Sequence, residues 1–244
     1  NTGVGIGALF SNTTGGYNTA IGYQSLKTNT TGVGNLAFGV QSLFSNISGD
    51  SNVASGYRSL YANTTGSNNI ASGRESLRYN TTGGCNVASG WQSLLRNIGG
   101  DNNVAIGRQS LKFNTTGSNN TASGYRSLYS NTTGNYNVAS GSQSLYSNTE
   151  GNYNVASGTL SLYLNTTGNY NVASGYVSLY GNTTGSNNVA IGYGAGRYIA
   201  NGSTANQTSG TSVYLGRDTK ALADGGNNEI VIGYDAIGNG SNTT

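Results

Sequence analysis

Asn171-Val-Ala-Ser-Gly-Tyr-Val-Ser-Leu-Tyr-Gly-Asn-Thr-Thr-Gly-Ser-Asn187 is one copy of a 17-residue unit that runs eleven times from Asn1 to Asn187 without an insertion or a deletion. In register, glycine recurs from Gly5 to Gly175, leucine from Leu9 to Leu179, asparagine from Asn12 to Asn182, and a second glycine from Gly15 to Gly185. A unit this short cannot bury a core alone and must stack on its neighbours. Stacking puts like residues over like, with coils about 4.8 Å apart, so eleven coils predict a rod roughly 50 Å long.

Within the unit, the first five residues read as a short strand. Position two is Val, Ile, Leu or Thr in every copy, position three is Ala in all but the first, and position four is Ser or a larger apolar residue. Positions six to eleven read as a second extended segment centred on the leucine, and Asn-Thr-Thr-Gly closes the coil, Asn and Gly both suiting turns. Helix is disfavoured by two glycines and the Asn-rich, β-branched runs. The expected fold class is therefore all-β, a parallel β-solenoid with two short strands per 17-residue coil. Period-two alternation separates position three from positions two and four. We expect the Val/Ile and Leu columns inside and the small Ala column outside. An exposed apolar stripe calls for a cover, which a homotrimer would supply.

Glycine contributes 40 residues of 244, histidine, proline and methionine none, and charged residues only 8%. Glycines in strict register argue against a floppy linker. A net charge of +3 is too modest to imply nucleic acid. Cys85 is the only cysteine, so an intrachain disulfide is excluded. No stretch approaches the ~18 apolar residues of a spanning helix, and membrane insertion is not expected. The start without methionine, at the first position of a repeat, reads as a fragment or processed product.

The block Asn-Val-Ala-Ile-Gly at 103–107 and again at 188–192, with Ser-Leu at 110–111, resembles the head repeats of trimeric autotransporter adhesins. The longer unit, as in 18–32, is similar to repeats of bacteriophage tail fibres. The resemblance implies a left-handed β-roll assembled as a homotrimer, with an extracellular location on a virion tail fibre or a cell-surface appendage. The adhesin repeats are shorter, and no stretch of residues 1–244 reads as their membrane anchor or as the chaperone domain that follows the repeats in many fibres.

After Gly192 the register breaks. The next strand-Gly signature, Val213-Tyr-Leu-Gly216, comes 24 residues on, so seven residues are inserted in or near Tyr198–Gly210. We expect two regions: 1–187 as regular repeats, and 188–244 as irregular terminal coils with a protruding loop, a cap or neck-proximal segment.

Candidate sites follow from the stacking. Arg74 and Arg108 flank Trp91 in one column, and Arg78, Leu95 and Lys112 form another. Arg74, Trp91, Arg108, Arg78 and Lys112 could line a groove for an acidic host surface polysaccharide or receptor, or simply discourage lateral aggregation. Tyr129, Tyr146, Tyr163 and Tyr180 make one tyrosine column, and Tyr136, Tyr153 and Tyr170 another; they read first as ladders. Nine coils carry Asn-x-Thr/Ser at the second turn, which turn chemistry explains without glycosylation. An ice-binding plane would want Thr-x-Thr, whereas adjacent threonines point to opposite faces. Asp218, Asp224, Glu229 and Asp235 read as solvated loop charges, a cation site being the alternative. With no histidine and one cysteine, the usual nucleophile–base pairs are missing. No catalytic, cofactor or metal site is expected. The function this supports is a structural and adhesive fibre segment; the alternatives are a bacterial adhesin or extracellular filament whose repeats bind host or matrix directly and, less favoured, an ice-binding solenoid.

Overall fold

A computed structural model describes residues 1–242 and contains strands and turns but no helix among them. The fold is an all-β parallel β-solenoid in two compact units, split after Asn120. The first holds β1 (Thr2–Val4), β2 (Thr19–Ile21), β3 (Leu36–Phe38), β4 (Val53–Ser55), β5 (Ile70–Ser72), β6 (Val87–Ser89) and β7 (Val104–Ile106). The second holds β8 (Thr121–Ser123), β9 (Val138–Ser140), β10 (Val155–Ser157), β11 (Val172–Ser174), β12 (Val189–Ile191), β13 (Val213–Leu215) and β14 (Ile230–Ile232). Within each unit consecutive strands pair in parallel at a shift of 17, as in Val53↔Ile70 and Val155↔Val172. The exception is Val189↔Val213, where the shift of 24 absorbs the seven extra residues without breaking the ladder.

Two expectations are corrected. First, each coil has one strand, not two. The segment around the leucine is a tight turn with left-handed residues at positions seven and nine, such as Gln92 (φ 55°) and Leu94 (φ 51°). A non-glycine residue there costs roughly 1–2 kcal/mol. The alternation turns successive N–H groups toward opposite neighbours: Gln92 donates back to Arg74 O at 3.0 Å and Leu94 forward to Ser110 O at 2.9 Å. Ladder bonds and the buried leucine offset the strain. Propensity argues against Leu in this region, so the sequence carried no signal for it.

Second, inside and outside are exchanged on the strand. The Ala column is fully buried from Ala20 to Ala105 and from Ala122 to Ala190, while positions two and four face out, with Phe38, Ile70, Ile106, Val138 and Ile191 exposed. The leucine column is inside as expected, buried from Leu26 to Leu111 and from Leu128 to Leu179. The reason is room. From the second repeat to the eleventh the interior also holds two asparagines and a serine per coil, all buried, and opposite a large leucine only a methyl group fits.

Those asparagines form ladders. At position one, Asn52 Oδ1 accepts from Asn69 N–H at 3.0 Å and Nδ2 at 3.1 Å, while Asn52 Nδ2 donates to Gly66 O at 2.9 Å. At position twelve, Asn80 Nδ2 donates to Asn63 Oδ1 at 2.8 Å and to Gly83 O at 2.9 Å. Buried amides are tolerable only when bonded, and each coil satisfies its neighbour. The two invariant glycines have separate causes. Gly158 sits at φ +129°, where an added Cβ would lie 2.6 Å from Gly175 O; a Cβ on Gly83 would lie 2.5 Å from Gly100 O and 2.6 Å from Asn80 Oδ1.

Candidate functional site

Outward positions of residues 1–120 carry the cationic sector. At position six, Arg74 lies over the Tyr57 ring at 5.6 Å and Arg108 over the Trp91 ring at 4.5 Å. The indole is 38% exposed, but the guanidinium of Arg108 occupies one of its faces. Arg78 does not join an open groove with these residues. It is paired with Glu75 at 3.0 Å and lies over the Tyr79 ring at 5.0 Å. Lys112 lies over Phe113 at 5.2 Å. Glu75 also accepts from Gln92 Nε2 at 2.9 Å. Arg74 and Arg108 thus meet rings one coil away and Arg78 and Lys112 the ring next in sequence, contacts worth about 0.5–1 kcal/mol each at exposed sites.

The tyrosine columns stack as rings, face on face. Tyr136–Tyr153 and Tyr153–Tyr170 centroids are 4.9 Å apart at 2°, and Tyr129, Tyr146, Tyr163 and Tyr180 follow at 4.9, 5.1 and 5.2 Å. In such a ladder the broad faces are taken up by neighbouring rings, leaving edges and hydroxyls outward. Burial first, then neighbouring tyrosines, raise the Tyr129 and Tyr163 phenols above their ordinary value.

A feature missed in the sequence is a groove of about 460 Å³ lined by Ala62, Tyr79, Thr81, Arg96, Ile98 and Thr115. It runs between columns eleven and thirteen, where bulky Tyr79 and Arg96 follow small Ala62. The signal was present as a size change within one column, but column eleven was read as part of a strand whose orientation was undefined.

The terminal acidic residues do not act together. Asp224 accepts from Gln207 N–H and Thr208 N–H at 2.8 Å, from the Thr208 hydroxyl at 3.1 Å and from Gly225 N–H at 3.1 Å. Burial alone would raise its carboxyl; these bonds outweigh burial and hold it below the ordinary value. Asp235 pairs with Lys220, and Asp218 with Arg217 at 3.2 Å. Glu229 is buried in the interior with Oε2 unpartnered. No group of three or more potential metal ligands exists among the described residues, and no helix is long and apolar enough to cross a membrane.

Threonines at position thirteen spend their hydroxyl protons on the next coil, as in Thr81 Oγ1 to Ile98 O at 2.9 Å. The Asn12-type column is buried, with its amide nitrogens bonded, from Asn29 to Asn97. Comparison of the chain with protein-family models, curated proteins and solved structures finds no match.

Proposed function

We propose that this chain is a non-enzymatic fibre segment, a stiff homotrimeric shaft or head that holds a receptor-binding end outward and contributes attachment to acidic surface glycans. Its setting in this reading is extracellular, on a virion tail fibre or related surface appendage. The observation that carries the reading is the outward column at positions two and four. Position two is Val, Ile or Leu in eight of the eleven repeats and Thr in three, while position four is Ser in seven and Val, Ile or Phe in four, so the apolar stripe on the sheet of each unit runs mainly along position two. Stripes of this kind mark interaction surfaces, and a repeat that presents the same stripe coil after coil suits a symmetric partner made of the same chain. The trimer thus rests on the Val/Ile face, not on alanine. Stiffness follows from backbone ladders reinforced by buried amide ladders, neither of which bends without losing bonds.

The test is the solution mass of the full chain, by sedimentation equilibrium. Three times 24.9 kDa is expected, with Val155→Asp, on the exposed stripe, giving monomer that keeps its β spectrum. A monodisperse monomer for the unaltered chain would overturn the reading. Retention on an immobilised carboxylated polysaccharide tests the attachment half.

A further inference from the structure

We propose that the groove between columns eleven and thirteen binds the carboxylated sugar unit of an acidic glycan; this rests on the attachment reading above and gives it a location. Four observations converge. The volume, about 460 Å³, falls in the range of roughly 300–1,000 Å³ typical of small-molecule sites. Its lining is mainly apolar, with Tyr79 43% and Ile98 49% exposed, which suits the carbon face of a pyranose. Tyr79 is not in a ring ladder, because Ala62 precedes it and Arg96 follows it in the column; Arg78 lies over the ring at 5.0 Å, and its apolar edge lines the groove. Arg96 supplies a guanidinium that lies over Phe113 at 5.2 Å, a fork matched to a carboxylate.

Charge favours an anionic occupant. Arg96 and Lys112 lie in this sector, and Glu75 is neutralised by its pair with Arg78 and bonded by Gln92. The Thr81 hydroxyl, donating to Ile98 O, turns lone pairs outward and can accept from a sugar hydroxyl. Columns eleven and thirteen stand nine residues along the coil from positions two and four, so the groove and the apolar stripe share no residue.

The test is saturation-transfer NMR on the full chain titrated with N-acetylneuraminate, with its methyl ester as uncharged control and an immobilised carboxylated polysaccharide in parallel. Arg96→Gln is expected to weaken N-acetylneuraminate at least about tenfold, the scale of a lost charge-assisted hydrogen bond. Ile98→Trp, which fills the groove from an exposed position, should abolish transfer, and the methyl ester should bind as weakly as the Arg96→Gln complex. Trp91→Ala should change nothing. Unchanged binding in both groove variants, or polysaccharide retention without transfer from the single sugar, overturns the groove and leaves the attachment reading standing. Absence of binding to either probe overturns both.

Discussion

The regular coils of 121–187 and the irregular coils of 188–242 solve the same packing problem in different ways. In the regular coils every turn brings an alanine, a leucine, a serine and two asparagines inward, and each buried amide finds its partner one turn away. Past Gly192 the pieces change together. Gly196 takes the leucine place and Tyr214 the alanine place, and a Cβ on Gly196 would meet the Tyr214 ring at 2.8 Å. One residue shrinks so that another can grow. The asparagine ladder ends at Asn188, whose Oδ1 accepts from Ser212 N–H at 3.1 Å; Ser212 and then Glu229 follow in that column. Here Asn206 Oδ1, Ser209 Oγ and Glu229 Oε2 are buried without partners. Periodicity is what satisfies a polar interior; where it lapses, unsatisfied groups collect.

The contrast can be broken most severely at a regular glycine. Gly158→Ala combines a left-handed backbone with a Cβ 2.6 Å from Gly175 O. A loss of about 4 kcal/mol is expected in urea unfolding, since neither strain can relax; a loss under about 1 kcal/mol would show that the coils can slide apart. Next comes the ladder. Asn165→Ala removes the donor to Asn148 Oδ1 at 2.8 Å and the acceptor for Asn182 Nδ2 at 2.9 Å, and should cost about 3 kcal/mol, the scale of stranded buried polar groups. The same truncation in a ladder that merely decorates the interior would be near neutral.

Glu229→Gln sharpens the comparison from the other side. Replacing a buried carboxylate that has an unpartnered oxygen with a neutral amide of the same shape should stabilise the terminal coils by about 1 kcal/mol. Slower hydrogen exchange at Val213 and Leu222, with no change at Val155, is the readout. The smallest effect concerns pH. The Asp224 carboxyl is depressed, so its contribution is fully present above the ordinary aspartate value near about 4 and fades as pH falls through the lower folded value. The protection factors of the Gln207 and Thr208 amides, exchange rates corrected for the intrinsic pH dependence, should therefore drop below that point, and Asp224→Asn should remove this drop.

The leucine column was legible because a large apolar residue at every seventeenth place has no cheap location but the interior. The seven-residue insertion was equally plain, since Val213 pairs with Val189 wherever the excess chain goes. Strand polarity was not. Alternation says that Ala88 opposes Val87 and Ser89, not which side is crowded, and apolarity alone favours burying the valine. The cation column was visible as a list of neighbours, but the seating of Arg108 on Trp91 depends on rotamers that a list does not hold.

Period, parallel stacking and the identity of each column were thus determined by the sequence itself, because a 17-residue unit of low complexity has few ways to bury anything except against its own copy. Which face of the strand is the inside, and that leucine sits in a left-handed turn, was decided only in the folded chain. There the volume left by two amide ladders and a leucine admits a methyl group and nothing larger.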